Sequence, residues 1–372
     1  MKKTAVVFWV LIPILSIALL VLPKKQFSEN ENRYLAAFPV LSFADIENGR
    51  FTADINTYLT DHFPGRDFFV GVKTQGDLLT GRKCINHVYV VNKDLLIEAY
   101  QSPSNTERIA GILSKFHDKV ETEFPDIRLQ LALVPTAVTI YEDMLPAYAP
   151  SSDQVDTISR LIEETGIAAV DVTDALSKHR DEEYLYYRTD HHWTTTGAYY
   201  AYEAYCEASD LTPVALDALD SRIVTEQFYG TLYSKVRNYG MKGDSITLYE
   251  NPAARLTVNY IDTGIVTDTL YNPDYLDKKD KYSLFLDNLH SLIEITNENA
   301  DTDRELVLVK DSYANSMVPF LVQNFRKIYV FDTRSYKKGV VPFLQEHDSV
   351  TDILLLYNMN TIDSDTGIYG IY

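Results

Sequence analysis

Asp190 and His192 stand two positions apart in the run Thr-Asp-His-His-Trp-Thr that covers residues 189–194. In an extended chain, residues two apart point to the same face, so the carboxylate can bond one imidazole nitrogen and fix the tautomer. Trp193 would shield this pair from water. The pattern predicts a general base with its orienting acid. A motif that only caps the following helix and packs against it is the alternative.

Ser312 is a second candidate for chemistry. The apolar, strand-like run 305–309 is followed by Lys-Asp-Ser at 310–312, and a helical pattern begins directly afterwards. A hydroxyl at such a junction lies at the end of a sheet, where the N–H groups of the new helix face any oxyanion formed on it. That position suits an acyl-transfer nucleophile. The alternative is that Ser312 or Asp311 simply caps the helix.

Four further residues are candidates for binding rather than for bond-making. The backbone N–H of Tyr313 is the natural first donor to an oxyanion, and Asn315 and Gly230 are further candidates. Arg334 follows the next strand and would orient an anionic or hydroxyl-rich substrate. A pair between Asp332 and Arg334 that fixes a loop is the alternative.

Together, Ser312, His192 and Asp190 supply a nucleophile, a base and an orienting acid. About 120 residues separate the two stretches, so the sequence predicts their meeting only by inference. The types of Asp190, His191 and His192 would also suit a metal ion. Adjacent histidines in a strand face opposite ways, however, so we predict neither a metal nor a cofactor.

Alternating strand and helix patterns must position these residues. Strand patterns lie at residues 88–91, 129–134, 167–172, 305–309, 327–331 and 352–356. Helical patterns lie at residues 51–82 with a break at 61–65, 106–123, 151–164, 194–208 and from Ser312 to 325, with Ser151 or Ser152 as the cap of the third. This order predicts an α/β domain with a parallel sheet covered on both faces. The working residues of such a sheet lie beyond the carboxyl ends of its strands.

Residues 1–23 differ in composition from the rest. An uncharged run from Thr4 to Pro23 separates two lysine pairs, and a helix of that length is about 30 Å long, one hydrocarbon core. No small-residue cleavage site ends the run, which favours an uncleaved signal-anchor over a cleaved signal peptide. We place the body outside the cytoplasm. We predict that residues 24–84 form a connector and lead-in segment. Residues 85–372 are predicted to form the α/β domain, with an irregular insertion around 215–300.

Composition excludes some classes of function. The 372 residues contain 34 Lys and Arg against 53 Asp and Glu, a formal charge of −19. A chain without a basic footprint is a poor nucleic-acid binder, so no such partner is predicted. Cys84 and Cys206 are too few for a disulfide framework and lack metal-site spacing. Whether they pair is left open.

The Asp-His-His-Trp motif at 190–193 resembles the signature of the DHHW protein family, membrane-anchored surface proteins of Gram-positive bacteria. The wider pattern is similar to the alginate O-acetylation proteins, whose Asp-x-His-Trp motif precedes a late strand and a serine turn. Matching segments lie at residues 31–33, 38–39, 61–67, 134–135 and 145–146, together with Tyr141. The resemblance implies a three-layer α/β/α SGNH-hydrolase-like fold in permuted order, with the Asp–His pair before the serine.

The resemblance also implies roles: Ser312 as nucleophile, His192 as base, Asp190 as its acid, and His191 at the variable position. It implies a membrane-anchored O-acetyltransferase or esterase acting on a cell-surface polysaccharide, with a multi-span O-acyltransferase as partner. The turn at residues 310–312, here called the elbow, departs from the family pattern, because Lys310 stands where a glycine is common. A non-catalytic carbohydrate-binding or assembly component is therefore the alternative.

Overall fold

The computed structural model describes residues 2–28, 33–92, 94–101, 103–150 and 153–372. The chain divides into two compact units, here called the N-terminal unit (Met1–Asn86 with Tyr233–Met241) and the sheet unit (His87–Leu232 with Lys242–Tyr372). Within the described ranges, no helix combines the length and the apolar character that crossing a membrane requires. The signal-anchor at residues 1–23 stays a prediction.

The N-terminal unit is mainly helical. Its helices are α1 (Lys2–Val21), α2 (Phe43–Glu47), α3 (Arg50–Asp61) and α4 (Arg66–Leu79), and its short strands are β1 (Phe27–Ser28), β2 (Arg33–Tyr34) and β3 (Cys84–Ile85). The break predicted at 61–65 separates α3 from α4, and Gly65 adopts the left-handed conformation that this turn requires. The segment Tyr233–Met241 packs on α4, where a Cβ on Gly71 would lie 2.2 Å from the Tyr239 ring.

The remaining elements follow in chain order. The strands are β4 (Val88–Asn92), β5 (Leu95–Glu98), β6 (Arg128–Val134), β7 (Ala168–Ala169), β8 (Asp220–Phe228), β9 (Asp244–Glu250), β10 (Leu256–Tyr260), β11 (Ile265–Thr267), β12 (Leu292–Asn297), β13 (Glu305–Lys310), β14 (Lys327–Phe331) and β15 (Asp352–Asn358). The helices are α5 (Thr106–Glu123), α6 (Ala137–Ile140), α7 (Gln154–Thr165), α8 (Val172–His179), α9 (Thr195–Ala208), α10 (Thr231–Val236), α11 (Val318–Leu321), α12 (Val340–Glu346) and α13 (Met359–Ile362). Short 3₁₀ helices cover Glu142–Met144, Leu216–Ala218, Pro273–Asp277, Lys281–Leu284, Ser312–Ser316 and Thr366–Gly370.

Eight strands form the main sheet, in the order β11-β10-β12-β14-β13-β15-β6-β7. The five strands from β14 to β7 are parallel, as predicted. The strand predicted at residues 88–91 lies outside this sheet, because as β4 it pairs antiparallel with β5. The main sheet as a whole is mixed rather than parallel, because β10, β11 and β12 join it antiparallel. A turn of only four residues connects β10 to β11, and so short a connection can join only antiparallel strands. The fold is therefore mixed α/β, and residues 215–300 supply its antiparallel strands.

The parallel strands bring the candidate site to one edge. Every residue of β13 and β15 is buried, as expected for strands covered on both faces. The carboxyl ends of neighbouring parallel strands lie at the same edge of a sheet. Ser312 after β13, Asp332 after β14 and the end of β15 at Asn358 therefore share that edge.

Several element boundaries differ from the sequence pattern for local reasons. Ser151 and Ser152 lie outside the described residues, and Asp153 caps α7 by accepting the Asp156 N–H. Strand β7 is shorter than predicted because Asp171 caps α8 from Val172 onward. The helix expected after Ser312 splits into a 3₁₀ turn and α11, since Pro319 has no N–H to continue a longer helix.

Candidate active site

The buried carboxylate of Asp244 holds the turn that carries Asp190 and His192. Its Oδ1 accepts from the Arg188 N–H at 3.0 Å, and its Oδ2 accepts from the Thr189 N–H at 2.9 Å and hydroxyl at 2.5 Å. Burial raises the pKa of Asp244 to about 7, although the hydrogen bonds from the Arg188 and Thr189 N–H groups act to lower it. Asp244 begins β9, so a strand distant in sequence fixes where the turn starts.

Asp190 uses both carboxylate oxygens. Oδ1 accepts from His192 Nδ1 at 2.6 Å and from the His192 N–H at 3.1 Å. Oδ2 accepts from the Thr231 N–H at 2.7 Å and hydroxyl at 3.0 Å. Burial alone would raise the pKa of Asp190, but the charges and hydrogen bonds of His191 and His192 hold it well below its ordinary value. Only glycine fits at 230, since a Cβ there would lie 2.2 Å from Oδ2.

The other nitrogen of His192 faces the serine. Nε2 lies 2.7 Å from Ser312 Oγ. Burial, and then the charge of neighbouring His191, lower the pKa of His192 to about 4, although Asp190 acts in the opposite direction. The imidazole is therefore neutral at pH 7, donates its Nδ1 proton to Asp190, and accepts the Ser312 hydroxyl proton at Nε2.

Asp311, rather than Ser312, caps the 3₁₀ helix at the end of β13. Asp311 Oδ1 accepts from the Tyr313 N–H at 2.9 Å, and Oδ2 accepts from the N–H and the Nδ2 of Asn358, both at 2.7 Å. Burial raises the pKa of Asp311, against the pull of the backbone N–H donors of Asn358 and Tyr313. Because Asp311 supplies the cap, the half-buried Ser312 hydroxyl is available to bond His192.

Tyr282 supports both halves of the site, and the sequence analysis missed it. Its ring stacks on the His192 imidazole with centroids 3.8 Å apart and planes 11° from parallel. Its hydroxyl donates to the Ser312 carbonyl at 3.0 Å and lies 3.0 Å from Ser316 Oγ. Tyr282 belongs to the 3₁₀ helix Lys281–Leu284, where no local pattern indicated a role.

Trp193 ties the histidine turn to the serine turn. Its indole N–H donates to the Tyr313 carbonyl at 2.9 Å and to Ser316 Oγ at 3.0 Å. In return, the Tyr313 hydroxyl donates to the His191 carbonyl. The two stretches predicted to meet are thus joined by hydrogen bonds on both sides of the His192–Ser312 contact.

The groups predicted as oxyanion donors already have acceptors. Tyr313 gives its N–H to the helix cap, and Gly230 gives its N–H to Thr189 Oγ1 at 3.2 Å. Asn315 is buried, with Nδ2 3.5 Å from the Asn288 carbonyl. In the described part of the chain, Asn315 Oδ1 has no hydrogen-bond partner.

Arg334 and Lys310 share one carboxylate. Arg334 binds Asp332 through Nε at 2.8 Å and Nη2 at 2.6 Å, which is the loop-fixing pair named as the alternative. Lys310 is fully buried, and its Nζ lies 3.5 Å from Asp332 Oδ2. Burial lowers the pKa of Lys310. The residue that replaces a glycine at the elbow therefore points into a buried charge pair.

Asp190, His191 and His192 offer ligand atoms that all lie within 4.8 Å of one another. The expectation that the two histidines face opposite ways is wrong, because it assumed a strand. In the observed turn, the two ring centroids are 3.9 Å apart. These atoms already have partners, however: both Asp190 oxygens accept hydrogen bonds, and His191 Nδ1 lies 2.7 Å from Thr231 Oγ1.

Comparison with known proteins identifies the family. A sequence model of the family described as DHHW protein matches residues 127–331, more than half of the chain. The chain belongs to the DHHW protein family. A DHHW family protein from Eubacterium siraeum is 26% identical and has a TM-score of 0.66, with 76% of this chain and 94% of that chain covered. The resemblance stated from the sequence is thus confirmed.

Other solved structures match the chain at lower identity, and PatB1 shares its fold. Bacillus cereus PatB1 is 17% identical with a TM-score of 0.63, covering 77% of this chain and 99% of that chain, and it has also been solved with a sulfonyl adduct. The O-acetyltransferase domain of Pseudomonas putida AlgJ is 14% identical, with a TM-score of 0.45 and coverage of 73% and 90%. A comparison with curated proteins finds no match.

The stacked ring of Tyr282 predicts a change in the titration of His192. In Tyr282→Leu, water reaches the imidazole, its charged form is better solvated, and its pKa rises from about 4 toward the ordinary value of 6.5. In Tyr282→Phe the ring remains and the pKa stays near 4. NMR titration of the His192 ring nitrogens measures both. Equal pKa values in the parent and Tyr282→Leu would contradict this role.

Proposed function

We propose that this chain is a serine-dependent O-acyltransferase or esterase that transfers or removes an acetyl group on a cell-surface polysaccharide. The observation that carries the proposal is the continuous hydrogen-bonded series from Asp190 through His192 to the Ser312 hydroxyl. A neutral imidazole between a carboxylate and an alcohol is the arrangement that activates a serine.

In the proposed reaction, Ser312 Oγ attacks the acyl carbonyl carbon and its proton passes to His192 Nε2. Asp190 stabilises the imidazolium that forms. The tetrahedral intermediate collapses, its bond to the leaving oxygen breaks, and His192 returns the proton to that oxygen. A sugar hydroxyl or water then attacks the acyl-serine through the same base, which regenerates Ser312 and releases the acylated sugar or the free acid.

The oxyanion donor in this mechanism is the N–H of Ser312 itself. Ser312 is the first residue of its 3₁₀ helix, so its N–H has no acceptor within that helix. It belongs to the residue that bears the nucleophile, so it is close to any oxyanion that forms on the attacked carbonyl. The N–H of Tyr313, predicted from the sequence, would have to leave Asp311 in order to serve.

The non-catalytic alternative rested on Lys310 at the elbow. Its side chain is buried against Asp332, and the His192–Ser312 hydrogen bond forms beside it. PatB1 has been solved with a sulfonyl adduct, and Ser312 is the group that we propose would accept one here. We therefore favour the enzyme.

Hydrolysis of an activated aryl acetate tests the proposal. We expect Ser312→Ala and His192→Ala each to lower kcat/KM by about 10³-fold or more, because the members of such a triad act together. Ser364→Ala, which changes an exposed serine outside the proposed triad, should retain parental activity. A chelator should have no effect in any variant. Equal rates in all folded variants, or inhibition by the chelator alone, would refute the serine mechanism.

The partner and the location are proposed on the resemblance alone. We propose that residues 1–23 anchor the chain, that its body lies outside the cytoplasm, and that a multi-span O-acyltransferase supplies the acyl group. Protease added to intact cells should then cut the body, and the acyltransferase should co-purify from native membranes. A body that remains uncut until the cells are lysed would refute the orientation. Repeated purification without an acyltransferase would refute the partner.

A further inference from the structure

The N-terminal unit exposes large apolar side chains that a soluble protein would normally bury. Phe43 is 92% exposed and Val40 is 87% exposed, and Phe38 and Leu41 are exposed beside them. These four lie within six residues, in the segment that leads into α2. Scattered apolar side chains are common on surfaces, but such a concentration marks an interaction site.

Helix α4 adds a second exposed apolar surface. At about 100° per residue, Phe68, Val72 and Leu79 fall within about 40° of one another on the helix, and all three are exposed. Gly71 and Thr74, which are buried, lie on a different face. The helix therefore packs into its unit with one face and leaves a separate apolar stripe uncovered.

Charge is divided between the units. The N-terminal unit has 12 Lys and Arg against 8 Asp and Glu, whereas the sheet unit has 22 against 45. Within α3 and α4, the exposed side chains of Arg50 and Lys73 are each paired with an aspartate one turn further along, Asp54 and Asp77. A unit of net positive charge suits an anionic surface, while the net negative sheet unit would be repelled by one.

We propose that the N-terminal unit lies on an anionic lipid bilayer, with residues 38–43 and the α4 stripe of Phe68, Val72 and Leu79 in the headgroup region. Three observations identify lipid as the occupant: the exposed apolar side chains, the net positive charge of this unit, and the apolar helix α1 in the same unit. Peripheral binding of this kind combines apolar insertion with electrostatic attraction. The proposal does not depend on the acyl-transfer chemistry.

Tryptophan quenching in vesicles tests the contact directly. The full chain carries Trp9 and the buried Trp193, so Trp9→Phe leaves a low and constant background. Val72→Trp then places a reporter on the α4 stripe. Val266→Trp, on the exposed strand β11 of the sheet unit, is the matched control. Each chain is reconstituted in phosphatidylglycerol–phosphatidylcholine vesicles, with or without brominated acyl chains. The vesicle-bound protein is recovered by flotation, and its tryptophan emission is measured.

We expect brominated lipid to lower the Val72→Trp emission about twofold or more and to leave Val266→Trp unchanged. Quenching should weaken in purely zwitterionic vesicles. Equal quenching at both positions, or a chain that does not float, would overturn the proposal. The proposal would also be overturned if brominated lipid did not quench Val72→Trp and its tryptophan became inaccessible to solvent only at higher protein concentration. That result would mean that a second copy of the chain covers the stripe.

Discussion

The hydrogen bond between the Asp190 carboxylate and His192 Nδ1 is the interaction on which the site depends. Removing a carboxylate from water costs several kcal/mol, and Asp190 offsets that cost with donors from His192 and Thr231 on both oxygens. The bond also decides which imidazole nitrogen carries the proton. Nε2 is consequently an acceptor, and the Ser312 hydroxyl is its partner at 2.7 Å.

The surrounding structure maintains this alignment from several directions. The sheet places Ser312 at the end of β13, and Asp311 ties that turn to the end of β15. Trp193 links the histidine turn to the serine turn, and Tyr282 excludes water from one face of the imidazole. Each link consists of one ring contact or a few hydrogen bonds. Their combination keeps an imidazole and a hydroxyl aligned although they are 120 positions apart in the chain.

Local patterns in the sequence were sufficient to select Asp190, His192 and Ser312, which the structure brings together, and the elements nearest to them. Helix Thr106–Glu123 and strand Lys327–Phe331 have the bounds that their periodicity predicts. The antiparallel strands were missed because strand direction depends on pairing between distant segments, which periodicity does not contain. Tyr282 and Asp244 were missed for the same reason: each acts on the histidine turn from an element that is far away in sequence.

The central claim is that His192, oriented by Asp190, activates the Ser312 hydroxyl. Phenylmethylsulfonyl fluoride tests it most directly, because an activated serine oxygen displaces fluoride to form a stable sulfonyl ester. Mass spectrometry of the digested protein locates the adduct without any knowledge of the natural substrate. We predict one adduct, on Ser312, that forms in the parent and is suppressed in folded His192→Ala. Equal labelling of Ser312 in both proteins, or an adduct only at other residues, would contradict the account.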